Sequence, residues 1–139
     1  MDGIPHCREL GLQVMEVARE RCQVLLPYQD KLVGNPETGV LAGGVITTVI
    51  DSVCGMAVQT ALRKLVPIAT LDLRIDYLRP ATPGQDLIAS ATCYKLTRMI
   101  AFVRSIAHNG DPEDPVANCV ATFMVNSSGK AAPNPLAEG

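Results

Sequence analysis

Residues 41–58 read LAGGVITTVIDSVCGMAV, two glycines followed by an apolar run that a single acid, Asp51, interrupts. Glycine lets a ligand approach the main chain closely. At the start of a helix the first N–H groups have no internal partner, and the helix dipole adds partial positive charge. A carbonyl oxygen docked at Gly44 would therefore be polarised by backbone alone. A carboxylate further along the same face could activate water against that carbonyl, or attack it directly. The chemistry outlined by Gly44 and Asp51 is acyl transfer to water from an ester or thioester.

This requires the stretch to be helical. Residues 45–63 contain no Gly or Pro except Gly55, and their length favours helix over strand. At about 100° per residue, Gly44, Thr48, Asp51, Gly55 and Gln59 share one narrow stripe. Val45, Ile46, Val49, Val53, Met56 and Ala57 fill the opposite arc. Gly44 and Asp51 then stand two turns, roughly 10 Å, apart along the axis. Residue types alone leave two readings open, because the polar stripe of an amphipathic helix is more often simply solvated.

The remaining elements are read from period and punctuation. Leu12–Val17 and Cys22–Pro27 read as two short strands around a turn at ARER, with a helix over residues 8–21 as the alternative. Residues 30–44, with four glycines and a proline, form a loop. TLDLRIDYLRP alternates strictly, with Leu71, Leu73, Ile75 and Tyr77 on one face and Thr70, Asp72, Arg74 and Asp76 on the other. Pro80, Pro83 and Gly84 close that strand. Residues 86–96, with Leu87, Ala89, Ala91 and Cys93 on one face, then 99–109 and 115–126, complete a four-strand meander. A long apolar helix must bury itself against such an antiparallel sheet, which gives an α+β architecture. Residues 1–126 form the single domain, and residues 127–139 a disordered tail without chemistry.

Composition limits the function classes. A chain of 139 residues, 47% hydrophobic, suits one domain with a real core. A net charge of −2 without a Lys/Arg block gives no footprint for nucleic acid or anionic membrane. Asp51 breaks the longest apolar run, so no membrane span is expected. The N-terminus MDGIPHCREL lacks the pattern of a signal peptide, which points to the cytoplasm. The five cysteines are odd in number, widely spaced and without C-x-x-C, so neither a zinc site nor a disulfide framework is expected. They read as small core residues in a reducing compartment. The only histidines, His6 and His108, are not tied to any cysteine.

The segment GNPETGVLAGGVITTVIDSVCGMAV resembles the active-site segment of the hotdog-fold acyl-CoA thioesterases, in particular the phenylacetic-acid-degradation (PaaI-type) branch. That pattern is an Asn in a loop, His-Gly-Gly opening the central helix, and an Asp seven residues after the second Gly. Asn35, Gly43, Gly44 and Asp51 match it, and YLRPA with the small-residue strand after it extends the similarity over residues 10–126. The resemblance implies a hotdog fold, in which an antiparallel sheet wraps one central helix. It implies a homodimer, often paired into a homotetramer, with active sites between subunits, an acyl-CoA substrate, and no metal or cofactor. It implies that the Gly44 N–H polarises the thioester carbonyl and that the partner subunit's Asp51 is general base or nucleophile. Asn35 would place the carbonyl or the water, and Thr70 matches a Ser/Thr that holds this water. Ala42, Gly43 and Thr48 would border the substrate. Arg79, Lys95 and Arg98, at strand ends and in a hairpin turn, are candidates for the coenzyme A phosphates, with ordinary surface solubility as the alternative.

Ala42 departs from the pattern, which has His there. Loss of one polarising donor costs on the order of 10²–10³ in rate. The expected activity is hydrolysis of an aryl- or short- to medium-chain acyl-CoA. The alternative is a weakly active or non-catalytic acyl-CoA or acyl-carrier binder on the same fold. A dehydratase of this fold needs a His-bearing motif, and neither His6 nor His108 lies in one.

Overall fold

The computed structural model describes residues 11–29, 32–35, 40–41, 43–62 and 66–125. The elements are β1 (Gln13–Ala18), β2 (Arg21–Leu26), β3 (Val33–Asn35), β4 (Val40–Leu41), α1 (Gly43–Leu62), β5 (Ile68–Tyr77), β6 (Leu87–Leu96), β7 (Ile100–His108) and β8 (Ala117–Val125). The tail from residue 127, expected to be disordered, lies outside the described residues, as does Ala42. Two local expectations need correction. The 30–44 loop contains an antiparallel ribbon, β3 on β4. The helix begins at Gly43, so both glycines belong to its first turn.

The six-stranded antiparallel sheet has the order β1-β2-β6-β7-β8-β5. This corrects the four-strand meander: β6, β7 and β8 are sequential neighbours, but β5 lies at the far edge beside β8. Residues 78–86 therefore cross the end of the sheet to reach β6. Extended chain of that length spans roughly 30 Å, ample for three strand spacings. The crossing is stitched down by hydrogen bonds from Leu78 N to Val116 O (2.8 Å), Thr82 N to Asn109 Oδ1 (2.8 Å) and Asn109 Nδ2 to Asp86 O (2.9 Å).

Helix and sheet fit by volume. Ile46, Val49, Ile50, Val53 and Val58 of α1 are buried, and much of the strand surface facing them is alanine: Ala89, Ala91, Ala101, Ala107, Ala117 and Ala121. Small residues let the helix settle close to the backbone at interior packing density. By length and composition α1 could cross a bilayer, yet it lies across β6, β2 and β7. It meets β5 and β8 much less. The inner face of β5 is consequently open: Leu73 and Ile75 are only half-buried and Tyr77 is 50% exposed.

His108 closes β7 as one of two buried polar residues among those described. Its Nδ1 accepts a hydrogen bond from the Gly110 N–H at 3.0 Å, so the ring is neutral there. Burial pushes its pKa below the ordinary imidazole value, and Asp111 opposes this. Between the lowered value and about 6.5 the unfolded chain binds the extra proton and the folded chain does not. Stability therefore rises with pH across that window, and acidification through it is destabilising. We expect the melting temperature of wild type to fall from about pH 7.5 to about pH 5.5 more steeply than that of His108→Gln. Parallel thermal melts check this, and equal slopes would contradict it.

Candidate active site

The polar stripe of α1 is its less buried side. Asp51, Thr48, Gly55 and Gln59 are half-buried and Gly44 is exposed, while Ile46, Val49, Ile50, Val53, Cys54, Ala57 and Val58 are buried. Gln59 is absorbed structurally, since its amide pairs with both the N–H and the C=O of Val66. A Cβ at Gly44 would meet nothing within 4 Å, whereas at Gly55 it would meet Ile68 Cδ1 at 3.6 Å. Room to approach the backbone thus exists at the helix start, and β5 packs near Gly55.

Asp51 meets Thr70 of β5: Thr70 Oγ1 donates to Asp51 Oδ1 at 3.2 Å. Strict alternation places Thr70 on the face opposite Leu73, Ile75 and Tyr77. The structure corrects this. Thr70 pairs with Phe123 and Asp72 with the adjacent Thr122, so Leu71 is an extra residue in β5. Such a bulge inverts the side-chain parity beyond it. Thr70 thereby joins Leu73 and Ile75, which pair with buried Ala121 and Cys119, on the helix side.

At the helix start, Thr48 Oγ1 donates to Gly44 O at 2.9 Å, and Thr47 Oγ1 donates to Gly43 O at 3.1 Å. Tyr77, at the other end of β5, reaches the same turn: its hydroxyl donates to Gly43 O at 3.1 Å and contacts Thr47 Oγ1. Tyr77 and Thr47 were not singled out from sequence. A usable signal existed, because Tyr77 shares parity with Leu73 and Ile75, and Thr47 is four residues after Gly43. Beside this cluster opens a cleft of about 450 Å³, lined among others by Gly43, Ile46, Tyr77, Leu78 and Ala81. Its walls are mostly apolar; the Tyr77 hydroxyl meets the first helical turn, and Arg79, held by Pro80 and Asp114, also lines the cleft. At the helical rise of about 1.5 Å per residue, Gly44 and Asp51 of one chain stand about 10 Å apart along the axis.

Asn35 ends β3 opposite Val40, in the ribbon that leads into α1. Arg79 is engaged by the protein itself. Nη1 donates to Pro80 O (2.9 Å), Nη2 to Asp114 O (3.0 Å), and Nε lies 3.2 Å from Asp114 Oδ1. It ties the crossing segment to the β7–β8 turn. Lys95 and Arg98 are exposed at the β6–β7 hairpin. Register sets that hairpin at Thr70's end of the sheet: Thr70 pairs with Phe123, Phe123 with Ala101, and Ala101 with Leu96. The separation is three strand spacings, about 14 Å. Three of the buried thiols are held protonated: Cys54 is pushed far up by its hydrogen bond to Cys119 and by burial, and burial also raises Cys22 and Cys93. The hydrogen bond from Cys54 lowers Cys119, which lies buried in the core.

Comparison with known proteins places this geometry. The family model described as Thioesterase superfamily matches residues 38–116. The chain is 30% identical over 135 residues to the medium/long-chain acyl-CoA thioesterase YigI of Escherichia coli K12, covering 88% of this chain and 86% of that one. Among solved structures, a Pseudomonas aeruginosa protein superposes with a TM-score of 0.81 at 41% identity, over 88% of this chain and 91% of that one. A mutant of the phenylacetic acid degradation protein PaaI from Thermus thermophilus superposes at 0.75 with 26% identity, over 87% and 98%.

Proposed function

The chain belongs to the thioesterase superfamily, as a thioester hydrolase with the hotdog fold of the PaaI type, and on that premise we propose that it hydrolyses an aryl- or short- to medium-chain acyl-CoA at sites shared between two protomers. The observation that carries the reading is the Thr70–Asp51 hydrogen bond, created by a bulge and directed at the helix face that carries the exposed Gly44. Bulges are common beside active sites because they re-aim one side chain.

The reaction follows from the groups available. Thr70 and Asn35 hold a water, and Asp51 takes its proton as the oxygen bonds to the thioester carbon. The Gly44 N–H, helped by the helix dipole, stabilises the oxyanion. The intermediate collapses as the C–S bond breaks, and the proton on Asp51 passes to the departing thiolate. A thiolate is a good leaving group, with a conjugate-acid pKa of about 8.5 in the case of cysteine. Asp51 acting first as nucleophile is the variant of this route. Because about 10 Å separates Gly44 from Asp51 within one chain, each site pairs Gly44 with the partner subunit's Asp51.

Two features support the homodimer. One is the outer edge of β5, which has no strand beside it among the described residues; the other is its open inner face. Exposed Val120 and Tyr94 on the outer face of the sheet suit a second contact, which makes the tetramer a dimer of dimers. Ala42, Gly43 and Thr48 border the acyl group. Lys95 and Arg98 meet the coenzyme A phosphates, and Arg79 serves the crossing segment instead. The free thiols of Cys22, Cys54, Cys93 and Cys119 fit a cytoplasmic setting.

Release of free thiol from a panel of aryl- and acyl-CoA esters tests the reading. Turnover of at least one ester is the expected result. Binding without thiol release would favour the second reading, a non-catalytic acyl-CoA or acyl-carrier binder, which Ala42 motivates. Ala42→His is expected to raise kcat, by up to about 10²-fold for one added polarising group. An unchanged kcat would show that the site is organised without that donor.

A further inference from the structure

We propose that Tyr77 is a positioning residue for this hydrolysis, acting together with Thr47 by holding the peptide plane that carries the Gly44 N–H. The inference rests on the thioesterase reading above. The carbonyl of Gly43 and the N–H of Gly44 belong to one peptide unit, which is planar and rigid. Their bonds point in opposite directions across that plane. Fixing the oxygen therefore fixes the direction of the N–H.

Two hydroxyls converge on this oxygen from different elements, Tyr77 Oη from β5 and Thr47 Oγ1 from α1, each at 3.1 Å. The hydroxyls also hydrogen-bond each other; with two protons for three contacts, one hydroxyl donates to Gly43 O while the other donates to that hydroxyl, so the pair acts as one unit. A hydrogen bond accepted at the carbonyl also polarises the amide and strengthens its N–H as a donor. Both effects matter most when negative charge develops on the thioester oxygen. They matter little for the neutral carbonyl of the bound substrate.

A purely packing role fits the site less well. Within one protomer Tyr77 is 50% exposed, and its neighbour Leu78 is 56% exposed, so little apolar burial inside the chain depends on the ring. Gly43 and Gly44 contribute no side chain that could stiffen the turn, and residue 42, an alanine, offers no side-chain donor. Polarisation of the substrate then falls on one main-chain N–H, and the hydroxyls at Gly43 O reinforce the helical bonding that orients it.

Tyr77→Phe removes the hydroxyl and keeps the ring. It is expected to lower kcat about 10-fold, less than the 10²–10³ for deleting a donor outright, and to leave KM within about twofold and the melting temperature near wild type. Thr47→Val should act in the same direction, and Thr47→Ser should retain activity. A second readout needs no turnover: the carbonyl ¹³C resonance of Gly43 should move upfield in Tyr77→Phe, as expected when a hydrogen bond to that oxygen is lost. A kcat within twofold of wild type in Tyr77→Phe would overturn the proposal, as would an unmoved Gly43 resonance. A fall in kcat matched by an equal loss of folded protein would overturn it too. If wild type releases no thiol from any ester, the thioesterase reading fails separately, and the Gly43 resonance still decides whether Tyr77 holds this peptide.

Discussion

Replacing Asp51 with Asn is expected to lower kcat for thiol release by about 10³-fold or more, the scale of losing a positioned base, while acyl-CoA still binds. The substitution keeps size and most hydrogen-bonding capacity but cannot accept the proton of an attacking water. Thr70 Oγ1 can still donate to the remaining side-chain oxygen, so the local fold of α1 against β5 should persist. Calorimetric titration with an unhydrolysed ester should give a Kd within about threefold of wild type, since uniform binding is untouched. Retention of more than a tenth of wild-type kcat would remove Asp51 from the chemistry. Single turnover in ¹⁸O-water separates its two possible roles, because a nucleophilic carboxylate acquires label and a general base does not.

The second large effect tests where the site is assembled. Gly44→Pro deletes the N–H that would polarise the thioester. Proline is tolerated in the first turn of a helix, and a Cβ at position 44 meets nothing within 4 Å. Gly44→Pro and Asp51→Asn homodimers should each be nearly inactive. Mixing the two chains by co-expression should restore activity. In a heterodimer one site combines an intact Gly44 with the partner subunit's Asp51, and the other carries both lesions. With random pairing about a quarter of all sites are wild type, as expected for an isologous two-fold dimer. Recovery near a quarter of wild-type kcat per site is the expected result. No recovery, with heterodimers verified by mass spectrometry, would mean that each chain builds its own site.

The legible part of this protein was local. Gly44 and Asp51 could be read as one line because helical geometry relates residues seven apart without reference to the rest of the chain. The buried face of β6 also followed from alternation, as Leu87, Ala89, Ala91 and Cys93 are all buried. Thr70 was different. Its type came from the family resemblance, and alternation pointed it away from the helix. The bulge at Leu71 reversed that, and its register against β8 is set by residues about fifty positions away in sequence. Arg79 looked like a free cation at a strand end. It became a brace between the crossing segment and Asp114 only once the order of strands was known.

By itself the sequence determined the long helix and the six strands of the main sheet, the buried face of β6, and that one carboxylate lies on the less buried side of the helix. These depend on side-chain period and composition, which act over a few residues at a time. Only the tertiary structure decided that β5 runs beside β8, that Thr70 turns inward to Asp51, and that Tyr77 closes on the carbonyl of Gly43. Each of these is a contact between residues 19 or more positions apart. Such contacts are selected by the packing of the whole sheet against α1, where volume and hydrogen-bond satisfaction must be met together, and no short stretch of sequence carries that information.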